Sequence, residues 1–139
     1  MLSIELKMLK KRLGIEAIEK DWQRKMKNTD QISDFYKIPS TLTIPEGCEE
    51  IGMRAFRDCK VLERLKIPGS VKKIEVWSFL RCYGLKKVEI PKNVEDIGLG
   101  AFKDCNNAEI ILRKSRKDFK YIGQEAFGGV KDVKEEIGN

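Results

Sequence analysis

The sequence predicts an α/β solenoid: short stacked repeats, each with one strand and one return segment, behind an N-terminal helical cap. Three observations carry this. Ile-Pro recurs at Ile44-Pro45, Ile67-Pro68 and Ile90-Pro91, at steps of 23 residues. Apolar columns keep the same step, with Ile51, Ile74 and Ile97 in one, Phe56, Phe79 and Phe102 in another, and Cys59, Cys82 and Cys105 in a third. Small residues follow at Ala55, Ser78 and Ala101. In such an architecture no unit buries its apolar face alone, and stacked units bury a continuous core.

Each element of the repeat has a physical reason. Leu65-Lys66-Ile67 alternates as a short strand. Pro68 ends it, because proline donates nothing to a ladder, and Pro68-Gly69 is a turn signal. Val71 and Ile74 then point inward, and Cys48 shares the column of Val71 and Val94. Ser78, Phe79 and Cys82 have helical spacing on the return path, and Leu85 leads into the next strand. Two further columns are Leu62, Leu85, Ala108 and Leu42, Leu65, Val88, Ile111. A weaker fourth copy holds Ile122, Gly123, Ala126 and Phe127, with Val130 in the cysteine position; its step of 122 − 97 = 25 implies two residues inserted within Arg113 to Tyr121.

The segments LERLKIPGSVKKIEVWSFLRCYG and LKKVEIPKNVEDIGLGAFKDCNN resemble the BspA-type, or treponemal-type, leucine-rich repeats, and the resemblance covers Thr41 to about Val133. It rests on a proline after the strand, an Ile-Gly pair, an Ala-Phe pair and a cysteine. It implies parallel strands on a concave face, short helices or turns on the convex face, and binding rather than chemistry.

The expected organisation is a helical cap over residues 1–38 and about 3.5 to 4 leucine-rich repeats of ~23 residues over 39–139. In the cap, Ile15, Ile18, Trp22 and Met26 fall on one helical stripe. Such a segment covers the open end of a solenoid or presents an amphipathic face to a partner or a membrane. Lys131 to Ile137 is expected to form a short closing helix.

Composition narrows the function classes. The chain has 139 residues, a net charge of +6 and no histidine. Serine–histidine and cysteine–histidine mechanisms are therefore absent within the chain, as is the commonest neutral metal ligand. The four cysteines lack CxxC spacing and read as small buried hydrophobes, although stacked strands about 4.8 Å apart bring column neighbours within disulfide reach. No catalytic residue, cofactor or metal is expected. No stretch approaches the ~20 apolar residues of a membrane span, and the expected compartment is the cytoplasm, with secretion only after removal of a signal segment.

Candidate binding residues follow from strand alternation. With Leu65 and Ile67 inward, Arg64 and Lys66 face solvent. The same alternation exposes Thr41 and Thr43, Lys87 and Glu89, and, continuing the columns, Ile110 and Leu112. These form four rows on the expected concave surface, with a hydrophobic end. Trp77 stands where other copies have Arg54, Gly100 and Glu125, and is expected to be partly exposed: local packing or an anchor for a partner. The run RKSRKDFK carries Arg113, Lys114, Arg116, Lys117 and Lys120, either a solvated loop or an anion or nucleic-acid contact, with Phe119 available to stack a base.

The reading is a protein-interaction module, monomeric alone, that binds a protein partner. An alternative is a small mobile-element inhibitor that blocks a nuclease complex, as anti-CRISPR proteins do; a basic balance, small size and no signal segment motivate it. A third is nucleic-acid binding through residues 113–120.

Overall fold

The computed structural model describes residues 40–44 and 46–137. The expected helical cap over residues 1–38 lies outside the described residues. Two parallel ladders run the length of the described chain. One sheet has five strands in the order β1 (Thr41–Thr43), β3 (Arg64–Lys66), β5 (Lys87–Ile90), β7 (Glu109–Leu112) and β9 (Asp132–Glu135). The other has four, β2 (Glu50–Ile51), β4 (Lys73–Ile74), β6 (Asp96–Ile97) and β8 (Tyr121–Ile122). Each turn contributes one strand to each sheet, so the chain winds through four turns and closes on β9.

The core is built from the repeat columns. Ile51, Ile74 and Ile97 are buried, as are Leu62, Leu85 and Ala108. Phe56, Phe79, Phe102 and Phe127 stack, with centroid separations of 5.3, 5.1 and 6.1 Å. The column of small residues, Ala55, Ser78, Ala101 and Ala126, is buried with them.

The return path is not helical, and no α-helix occurs among the described residues. Its backbone bonds alternate in direction. Ala55, Arg57 and Cys59 donate to the carbonyls three residues earlier, while Arg54, Phe56 and Asp58 donate to Val76, Ser78 and Leu80 of the next turn. A helix would keep all those N–H groups for itself. Two residues per turn are left-handed instead: Arg54, Trp77, Gly100 and Glu125 at one column (φ 55 to 59°), and Asp58, Arg81, Asp104 and Gly129 at another (φ 58 to 78°). A left-handed residue ends a helical run. The helical spacing of Ser78, Phe79 and Cys82 is thus met by tight turns stacked as a third ladder.

Two further expectations are corrected. Lys131 to Ile137 is not a closing helix, since Asp132–Glu135 pairs in parallel with β7. The irregularity of the fourth copy is also not a simple two-residue insertion. Lys87 pairs with Glu109, a step of 22, because β7 begins directly after Ala108 and one residue is lost. Leu112 to Ile122 then spans ten residues where Ile90 to Ile97 spans seven, so three are gained. The gained residues form a single 3₁₀ turn, Arg116–Asp118.

Candidate functional site

Strand alternation puts one set of side chains of the five-stranded sheet into the core and the other into solvent. On β1, β3 and β5 the expected face appears: Arg64, Lys66, Lys87, Glu89 and Thr41 are exposed and Thr43 is half-buried. The register Thr41–Arg64–Lys87 and Thr43–Lys66 follows directly from the pairings. A groove of about 1010 Å³ lies over this region, lined among others by Arg64, Lys66, Lys87 and Glu89, and by Lys92 and Asn93 of the following turn.

The fourth row differs from the expectation. Ile110 and Leu112 are fully buried. The residue lost before β7 shifts the strand by one, and a one-residue shift exchanges the two faces. Ile110 therefore continues the column of Leu42, Leu65 and Val88, in place of Ile111. Glu109 and Ile111 take the outward positions, beside Lys87 and Glu89. Ile111 is only 2% exposed despite facing outward, so the expected hydrophobic end is replaced by a carboxylate and a shielded isoleucine. The outward columns end on β9 with Asp132 and Lys134. Three consecutive apolar residues in Glu109–Leu112 hid the shift, since either register buries isoleucines.

Trp77 is half-buried. Its indole lies across Gly100, where a Cβ would stand 2.6 Å from Cδ1 and 2.8 Å from Nε1. The glycine of the next turn thus provides the space that the tryptophan fills, away from the groove.

Most of the basic run contacts neighbouring side chains, although Arg116, Lys117 and Lys120 stay exposed. Arg113 donates to a carboxylate oxygen of Glu89 at 3.0 Å and to the carbonyl of Glu136 at 3.2 Å. Lys114 Nζ sits 4.5 Å from the centroid of Phe119, which is itself buried and unavailable for stacking a base. The Arg116 guanidinium lies 5.7 Å from the Phe127 ring at the end of the phenylalanine stack. Lys120 pairs with Glu95 at 3.3 Å. Lys117 is exposed.

Elsewhere, charges are matched between turns. The Arg81 guanidinium holds both carboxylate oxygens of Asp58, at 2.6 and 3.0 Å, and that bond holds the Asp58 carboxyl below its ordinary range. Lys86 pairs with Glu63, and Lys103 with Glu125. Such matches one repeat apart are readable as columns of alternating sign, a signal that a search for chemical motifs passes over.

The cysteines form no disulfide. Cys82 and Cys105 donate their thiols to the carbonyls of Phe56 and Phe79, at 3.2 and 3.1 Å. Burial pushes the Cys59 thiol up to about 11, and contact with the Cys105 thiol, together with burial, raises that of Cys82. Among the described residues no group of three or more Cys, Asp or Glu side chains is placed to hold a metal ion. No helix among them is long and apolar enough to cross a membrane.

No curated protein and no solved structure gives a significant match to the chain. A family model described as BspA type leucine rich repeat region (6 copies) matches residues 32–136. The match begins inside the segment expected to be a cap, so the family's repeat pattern extends seven residues into it. It covers three quarters of the chain, and its repeat agrees with the stacked columns and parallel ladders described above. The chain belongs to the BspA-type leucine-rich-repeat family.

Proposed function

We propose that this chain is a non-enzymatic protein-interaction module, monomeric alone and working in the cytoplasm, that captures a protein partner on the outward face of β1, β3 and β5. The observation that carries this is the groove of about 1010 Å³ lined by Arg64, Lys66, Lys87 and Glu89. Regularly spaced side chains on a rigid sheet form a surface whose geometry is set before the partner arrives, which lowers the ordering cost of binding. The family suggests the same use. An inhibitor of a nuclease complex would use this surface in the same way. The contacts of Arg113, Lys114, Arg116 and Lys120 with neighbouring side chains weigh against nucleic-acid binding through residues 113–120.

The test is affinity capture with cross-linking mass spectrometry, comparing the full chain with Arg64→Glu/Lys66→Glu and with Trp77→Ala. Cross-links to the groove, and their loss in the double variant alone, are expected. Loss on altering Trp77 with capture intact in the double variant would move the interface to the turn side.

A further inference from the structure

We propose that the groove over β3 and β5 takes an extended acidic peptide segment, with Arg64, Lys66 and Lys87 binding its carboxylates. This rests on the protein-interaction reading and specifies the partner's chemistry. The first ground is a break in the pattern of charge. Several inter-turn pairs are opposite in sign, with Asp58 against Arg81, Glu63 against Lys86, Glu95 against Lys120 and Lys103 against Glu125, although Glu50 and Glu75 are like-charged neighbours. On the other sheet, Glu50, Lys73 and Asp96 follow one another in register. At the groove, Arg64 is directly opposite Lys87. Like charges facing each other across a strand pair oppose folding, and a local rule broken in this way marks a functional position.

The second ground is the fate of Glu89, which with Glu46 supplies the carboxylates that line the groove. Glu89 shares the groove with Lys66, yet its side chain is held by Arg113 at 3.0 Å. Arg113 thereby engages the acid, and among the described residues Lys66, Arg64 and Lys87 form no salt bridge. The outward acidic pair Glu109 and Asp132 is different, since Lys131 and Lys134 approach it at 3.9 Å. Arg64, Lys66 and Lys87 on two adjacent strands, with Glu109 in register beside Lys87 alone, therefore leave a net positive surface for an external anion.

The third ground is shape. Arg64 and Lys66 are alternate residues of one strand, about 6.8 Å apart along it. Alternate side chains of an extended peptide repeat at the same distance, so its carboxylates meet both cations together. Thr41 and Thr43 beside them supply hydroxyls that bond peptide amides. The groove has no aromatic lining, and a single-stranded nucleic acid depends on aromatic faces for stacking. An acidic peptide needs none.

The experiment is fluorescence anisotropy on the full chain. The probes are a short labelled peptide of alternating glutamate and threonine, its glutamine and lysine counterparts, and an oligothymidylate. The acidic peptide alone should bind, more weakly as salt rises. Arg64→Glu/Lys66→Glu should weaken it by about tenfold or more, the scale expected when a charge-assisted contact is reversed. The charge-matched Lys60→Glu/Lys117→Glu, away from the groove, should weaken it far less. Melting of the groove variant should be unchanged or raised, since the carboxylate introduced by Arg64→Glu would then face Lys87; Arg64→Gln/Lys66→Gln gives the same comparison without charge reversal. Equal binding of the glutamine peptide, equal loss in the two charge-matched variants, or tighter binding of the oligothymidylate at the same residues would overturn the proposal. No peptide binding, with groove-dependent capture of a protein partner intact, would overturn the acidic-peptide inference and leave the protein-interaction reading standing.

Discussion

Ser78→Ala should make the protein more stable. Ser78 is fully buried, and its hydroxyl oxygen has no hydrogen-bond partner. The same column holds Ala55, Ala101 and Ala126, each at most 2% exposed, so the surrounding shell already accepts a methyl group at three of four turns. An unsatisfied buried polar group costs about 1–3 kcal/mol. Removing the oxygen also forfeits its dispersion contacts, at roughly 0.1–0.2 kcal/mol per atom pair. The net gain is therefore about 1 kcal/mol, which for a domain of this size raises Tm by about 4 °C. Thermal and urea unfolding of the two proteins, followed by far-ultraviolet circular dichroism, measure it. Ala101→Ser should produce the opposite change. Unchanged or lowered stability of Ser78→Ala would refute the reasoning, because it would mean that the hydroxyl is satisfied.

Burial, followed by the adjacent Glu50 carboxyl, raises the Glu75 pKa above its ordinary 4.5. A carboxyl with a raised folded pKa favours folding while protonated; that contribution is full below the unfolded value and lost as pH rises through the folded one. Glu75→Gln should therefore gain stability at neutral pH, and the gain should vanish near pH 4.5 in denaturation across a pH series. Asp58 has the opposite sign: its depressed pKa gives stability above the ordinary 3.8 that is lost as pH falls through the folded value, and Arg81→Ala should remove that dependence. Gly100→Ala should destabilise by about 1–2 kcal/mol from its left-handed backbone, and should alter tryptophan emission by displacing the Trp77 indole. A thiol reagent should modify half-buried Cys48 well before Cys59, Cys82 and Cys105, which should react only on unfolding; early reaction of all four would show an open core.

The columns that a 23-residue step brings together were legible because stacking places identical positions over one another. Phe56, Phe79 and Phe102 must pack ring on ring, and Leu42, Leu65 and Val88 must share a face. Backbone conformation was less legible. Arg54, Trp77 and Glu125 adopt a left-handed φ that only Gly100 in their column advertises. Asp58, Asp104 and Gly129 hinted at the second such column, since aspartate and glycine tolerate it best, but Arg81 among them concealed the hint. The helical spacing of the return path was real, yet the spacing does not reveal whether an N–H bonds within its own turn or across to the next. In the groove, alternation located Arg64, Lys66 and Lys87. Lys92 escaped because it lies in a turn, where alternation gives no direction.

The offset of one residue lost and three gained explains why the basic run serves the fold. The shift in β7 brings Ile111 outward, where an apolar side chain needs cover. Directly after Leu112, Arg113 reaches across to Glu89 on β5 and to Glu136 beyond β9, joining the fourth turn to its neighbours on both sides. The extra residues then carry Phe119 into the core and place Arg116 at the open end of the phenylalanine stack. The backbone N–H of Arg116 donates to Glu135, which ties the 3₁₀ turn to the closing strand. A solenoid needs its last turn covered, because that turn has no successor to pack on it. The cations that looked most like a nucleic-acid contact in the sequence are thus largely occupied in closing the array. The same closure engages Glu89 with Arg113, so the device that finishes the fold also occupies a carboxylate of the groove.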